Sequence, residues 1–140
     1  MRYWDASAIV PLLVEEPRTA DVRAVLTADA AIVTWWGTRI ESTSAIARLE
    51  RAAALTPRQA SQAIEVLRAL AGGWHEILAT DVVRETACRL LRVHPLRAAD
   101  ALQLAAATVM AGGRPGQVWF VAFDDRLREA AGREGFLVGP

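Results

Sequence analysis

Four acidic residues stand where a carboxylate needs an explanation. Asp5 closes the aromatic stretch Tyr3-Trp4, and Glu41 falls in the first turn of a helix-like segment. Asp100 is the lone acid in the apolar run from Ala98 to Met110, and Asp124 follows the apolar run from Val118 to Phe123. Ionised carboxylates are rarely buried without a partner, because desolvation is costly. A set of carboxylates with no His or Cys among them selects hard cations such as Mg²⁺ or Mn²⁺, which keep several waters and bridge to phosphate oxygens. Such a site activates water and stabilises charge in an in-line phosphoryl displacement, which is nuclease chemistry.

Each acid also has an ordinary use. Asp5 can cap the helix that follows it. Asp100 can pair with Arg97 and gain from the helix dipole. Glu41 in a first turn is favourable even when solvated, and Asp124 is an expected cap after a strand. What joins them is place: two strand ends and two helix starts each present an acid, and in a doubly wound sheet those places share one rim.

The elements that must supply this rim alternate along the chain. The opening stretch Met1 to Ser7 contains a buried strand ending at the Asp5 carboxylate, Ala8 to Val14 reads as a helix, and Pro17 breaks it. Thr19 to Leu26 is helical, Ala30 to Thr34 is β-rich, and Thr38 to Ala54 is a helix with Ile46, Leu49 and Ala53 at helical spacing. Thr56-Pro57 starts another, with Ala60, Ala63, Ile64, Leu67 and Leu70 on one face, and Gly72-Gly73 end it. Trp74 to Leu78 fits a short edge strand, and Thr80 can cap a helix carrying Val83, Ala87, Leu90 and Leu91 that Pro95 stops. After the helix 98–110 and a turn-rich loop from Gly112 to Gly116, Val118 to Phe123 reads as a buried parallel strand. Arg126 to Arg133 is helical, and Phe136 to Val138 fits a final strand. This is the pattern of a parallel sheet covered by helices.

The chain has 140 residues, the size of one ordinary domain, and its 53% hydrophobic content suffices for a sizeable core. One domain over residues 1–140 is expected, without linkers or repeats. The single Cys88 excludes an internal disulfide framework, fits a cytoplasmic, reducing compartment, and in its helical setting is expected to be a buried structural thiol. The apolar run 8–14 is too short to span a bilayer and is flanked by acids, so neither export nor a membrane segment is expected. All 16 basic residues are Arg. The absence of Lys removes Schiff-base chemistry, the P-loop lysine and the lysine that a phosphoacceptor receiver needs.

In order along the chain, Tyr3-Trp4-Asp5-Ala6-Ser7-Ala8, Glu41 ahead of Ala45-Ile46-Ala47-Arg48-Leu49, the run from Leu96 to Ala105 around Asp100, and Phe123-Asp124-Asp125-Arg126-Leu127 followed by Ala130-Ala131 and Gly135 resemble the PIN-domain ribonucleases of the VapC type. These are the toxins of type II toxin–antitoxin modules. The resemblance implies a three-layer α/β/α sandwich around a mainly parallel sheet. It also implies a Mg²⁺- or Mn²⁺-dependent endoribonuclease acting on tRNA or rRNA, with Asp5, Glu41, Asp100 and Asp124 as the metal-holding and catalytic acids. The family pattern Phe-Asp-x-x-Leu selects Asp124 over Asp125. Ser7 matches the small hydroxyl residue beside the first acid, where it can support a carboxylate or a water on the metal; it can equally be a helix-start residue. Arg97, beside Asp100, is a candidate for substrate binding. A cognate antitoxin in the active-site groove and a homodimer complete the family expectation. Trp35, Trp36 and Trp74 are expected in the core, with a partner surface as the alternative, and His75 and His94 are expected to be structural or at the surface.

Rivals lose on specific residues. A haloacid-dehalogenase-like phosphatase needs a second Asp where this chain has Ser7, and no G-x-x-x-x-G-K or G-x-G-x-x-G occurs. The remaining alternative is a catalytically silent PIN-like scaffold that binds RNA or a protein partner. Retention of all four acids stands against it.

Overall fold

The computed structural model describes residues 1–140. Its elements are β1 (Arg2–Trp4), α1 (Ala6–Leu13), α2 (Thr19–Ala28), β2 (Val33–Trp35), α3 (Thr38–Arg51), α4 (Pro57–Ala71), β3 (His75–Ile77), α5 (Asp81–Val93), α6 (Ala98–Ala111), β4 (Trp119–Val121), α7 (Asp125–Arg133) and β5 (Leu137–Gly139). All strand pairings are parallel, in the order β3-β2-β1-β4-β5. The strand order therefore reverses at β1 and β4, the position where open α/β sheets leave a crevice at their carboxyl ends.

Side chains of successive strand residues point to opposite faces, and the central strands fill two cores in this way. Tyr3 and Phe120 pack on one face with Leu90 of α5, Leu104 of α6 and Leu127 of α7. Trp4 and Val121 pack on the other with Ile9 of α1, Ile46 of α3 and Leu67 of α4. Helices thus cover both faces, giving the three-layer α/β/α architecture that the resemblance implies. The register Tyr3↔Phe120 and Trp4↔Val121 sets the ends of β1 and β4 level.

Local chemistry fixes the boundaries. Thr56 and Gln59 form a reciprocal capping box ahead of Pro57. Thr80 accepts from the Val83 amide at the start of α5, and Gly112 ends α6 in the left-handed conformation at φ 55°. Helix α1 begins two residues earlier than the apolar run suggests, because Asp5 caps it and accepts from the Ser7 amide. The second strand lies later than the β-rich stretch Ala30 to Thr34: Ala30 to Ile32 form the approach, and Trp35 pairs with Ile77. Cys88 is exposed rather than buried, because the inward face of α5 is formed by Val83, Ala87 and Leu90 and the next residue after Ala87 turns away from it. Trp35 and Trp74 are buried, whereas Trp36 is half exposed. His75 is exposed on the edge strand β3, and His94 is buried. No helix is long and apolar enough to cross a membrane.

Candidate active site

Asp5, Glu41, Asp100 and Asp124 line one cavity of about 730 Å³ at the carboxyl ends of β1 and β4. Asp5 arrives directly from β1, its amide still bonded to the Val121 carbonyl at 3.0 Å. Glu41 projects from the first turn of α3, Asp100 from the first turn of α6, and Asp124 from the N-cap of α7. The approach of α3 depends on Gly37, where a Cβ would come within 2.2 Å of the Trp35 indole nitrogen.

Capping and membership of the site turn out to be compatible. Asp5 Oδ2 accepts from the Ser7 amide at 2.9 Å and from the Ser7 hydroxyl at 2.5 Å. Asp124 Oδ1 accepts from the Leu127 amide at 2.8 Å. Ser7 is both a helix-start residue and a support for the acid. Its Oγ also accepts from the Phe123 amide at 2.9 Å, which ties the end of β1 to the end of β4 one residue before Asp124.

None of the molecule's ion pairs engages these four acids. In particular, Arg97 and Asp100 do not pair within bonding distance. The electrostatics follow from burial without a cation. Asp5 is only 4% exposed, and burial pushes its pKa from 3.8 to about 6 against the opposing Ser7 hydrogen bonds, with the Asp100 charge adding to the rise. Glu41 is pushed from 4.5 to about 7 by burial and then by the charge of Asp5, while Gln103 acts in the opposite sense. Asp100 is raised by burial and by Asp124, with Arg97 and Arg126 partly offsetting this.

The donor set suits a hard divalent cation: oxygen only, anionic, and with none of the four acids in an ion pair. No three His, Cys, Asp or Glu side chains are placed to hold one ion directly. That arrangement fits Mg²⁺ or Mn²⁺ held through one or two carboxylates with water completing the shell, and does not fit an all-protein cage.

Several contributors carry no strong signal in the sequence. Arg18 and Arg48 line the cavity, and the Arg18 guanidinium lies 5.1 Å from the centroid of the Phe123 ring. Arg97 is exposed at the N-cap of α6 and does not line the cavity. Behind the acids, Gln103 is completely buried and donates to Glu41 Oε1 at 3.1 Å. Its spacing of three residues from Asp100 places both on one helix face, which is the signal that could have found it.

The PIN domain family matches residues 2–133 of the sequence. Among solved structures, FitAcB from Neisseria gonorrhoeae superposes with a TM-score of 0.68 at 18% identity, covering 100% of this chain and 97% of that one. No curated protein matches the sequence.

Proposed function

Since the chain belongs to the PIN-domain family, whose members are generally nucleases, we propose that residues 1–140 form a Mg²⁺- or Mn²⁺-dependent endoribonuclease of the VapC type, the toxin of a type II toxin–antitoxin module. One observation carries this reading: a buried carboxylate without a cation, Asp5, shares a cavity at the sheet's switch point with Glu41, Asp100 and Asp124. A protein gains nothing in stability from such a cluster, and its position is where α/β folds bind ligands.

The bound divalent ion supplies Lewis acidity and countercharge for hydrolysis of a phosphodiester. Asp5 and Asp100 would hold the ion directly, and Glu41 and Asp124 would complete the anionic set by holding its water shell. Ser7 fixes the Asp5 carboxylate and keeps the Asp124 segment level with it. Arg18 and Arg48, on the cavity wall, offer positive charge to the phosphates flanking the scissile bond. The substrate is structured RNA such as tRNA or rRNA. A cognate antitoxin covers the groove, and the working form is a cytoplasmic homodimer.

Incubation of the purified protein with total tRNA and rRNA tests the reading. Cleavage is expected with Mg²⁺ or Mn²⁺, leaving 5′-phosphates, and is expected to stop in excess EDTA. Undiminished cleavage in EDTA overturns the metal mechanism. Intact RNA with either metal present supports the catalytically silent scaffold instead.

A further inference from the structure

We propose that Gln103 is a positioning residue for Glu41, its amide locked by a buried hydrogen-bond chain so that an N–H always faces the acid. The inference rests on the metal-site reading above and concerns a residue outside the acidic set.

An amide side chain can usually be turned end for end, because its oxygen and nitrogen are similar in shape. Here the hydrogen bonds decide. The Thr34 hydroxyl reaches the Trp4 carbonyl at 2.6 Å, and a carbonyl can only accept, so the single Thr34 proton is committed there. Thr34 Oγ1 and Thr38 Oγ1 are 2.6 Å apart. Thr38 must therefore donate to Thr34, which leaves Thr38 able only to accept from its other neighbour. That neighbour is the Gln103 amide nitrogen at 3.0 Å. With the nitrogen fixed on this side, Gln103 Oε1 accepts from the Tyr3 hydroxyl at 2.7 Å, and the second N–H is left to meet Glu41 Oε1.

Tyr3, Thr34, Thr38 and Gln103 are each 0% exposed, so water does not compete for these bonds. The direction of the chain is thus set by a backbone carbonyl one residue before Asp5. Glu41 Oε1 is engaged by Gln103, the Trp35 side chain adds a further hydrogen-bonding influence on the carboxylate, and the residue lines the cavity. A flexible glutamate is thereby held in one orientation on the cavity wall. Partners that orient a ligating carboxylate in this way carry about 10- to 100-fold in metal affinity.

Titration of Mn²⁺ alone into RNA-free protein, followed by calorimetry, reads the effect apart from catalysis, with the melting temperature measured in parallel. Gln103→Met keeps the shape and removes the donor; its Mn²⁺ Kd is expected to rise about 10-fold. Thr34→Val keeps Gln103 but removes the group that sets the chain's direction, and a smaller rise of about 3-fold is expected. A crystal structure of Gln103→Met should show the Glu41 side chain displaced. If Gln103→Met melts earlier yet binds Mn²⁺ like the wild type, Gln103 only fills the core and the inference is overturned. If Gln103→Met does not fold, a wild-type Kd in Thr34→Val overturns it equally. Wild-type protein that binds no Mn²⁺ overturns the metal-site reading and this inference together, an outcome distinct from loss of the inference alone.

Discussion

Glu134, just beyond α7, is gripped by two bases: Arg89 Nη2 lies 2.7 Å from one carboxylate oxygen and His94 Nε2 lies 2.7 Å from the other. Its pKa is lowered, chiefly by the Arg89 hydrogen bond. Asp5 is more deeply withdrawn from water and meets hydroxyl and amide donors but no cation, and its pKa is raised. The first carboxylate is satisfied inside the chain and clamps α5 to the end of α7. The second is left anionic and unpaired beside three other acids, an arrangement that costs stability until a charge arrives from outside. Burial of acids is common to both places; the presence of an ion-pair partner separates a structural joint from a candidate binding site.

The most severe way to break this contrast is Asp5→Asn, which removes the charge with little change of shape. Cleavage is expected to fall by at least about 100-fold, as for loss of one preorganised electrostatic group in an active site. The metal-free variant is expected to melt higher than the wild type, because a buried charge without a partner has been removed. Growth arrest on expression should vanish while capture of the antitoxin persists. Full toxicity in Asp5→Asn would place the toxic activity elsewhere on the molecule.

A change of pH sharpens the same contrast with a middle-sized effect. Asp5 and Glu41 have folded-state pKa values of about 6 and about 7, above their ordinary 3.8 and 4.5. Between those limits the folded protein binds more protons than the unfolded one. Their contribution is therefore fully present at low pH and is lost as pH rises from about 4 to about 7. Glu134 runs the other way, contributing above its unfolded value and losing that contribution as pH falls. Thermal melts of metal-free protein should show Mn²⁺ raising the melting temperature more at pH 7.5 than at pH 5. Glu134→Gln should cost about 1 kcal/mol, less than a fully buried charged hydrogen bond because Arg89 is half exposed and solvent screens the pair. This lowers the melting temperature by about 3 °C for a chain of this size and leaves cleavage unchanged. An Mn²⁺ effect that is the same at both pH values contradicts the raised carboxyls.

The sequence carried the outline of this contrast unevenly. The strand at Tyr3-Trp4, the apolar helix around Asp100 and the strand before Asp124 were legible because aromatic and aliphatic runs end abruptly in a charge. The match of residues 2–133 to the PIN domain bears out the family resemblance read from those segments. Glu134 was not legible, since pairing it with Arg89 and His94 requires knowing that residues 40 or more positions apart share one seam. Gln103 was missed for a different reason: an amide within an Ala- and Leu-rich helix gains meaning only once Tyr3, Thr38 and Glu41 surround it. Cys88 was misplaced because composition shows a helix without showing which side of it faces inward.

The finest division lies within the pair Asp124 and Asp125, two neighbours of which only the first lines the cavity. Asp124 lines the cavity with one oxygen committed to the Leu127 amide, whereas Asp125 begins α7 exposed and away from the cavity. Asp124 therefore has one oxygen to offer a cation, while Asp100 faces the same cavity from a position more withdrawn from water. Asparagine keeps the capping oxygen, so Asp124→Asn should preserve the start of α7 and isolate the loss of charge. Turnover is expected to fall about 100-fold in Asp100→Asn and about 10-fold in Asp124→Asn, the span seen when ligating or orienting groups are removed. Asp125→Asn, which alters only a solvated helix start, should match the wild type, and its Mn²⁺ titration curve should overlay. An inactive Asp125→Asn beside an active Asp124→Asn would show that the cation is approached from the opposite side of the β4 end, and the cavity-facing acid would have to be reassigned.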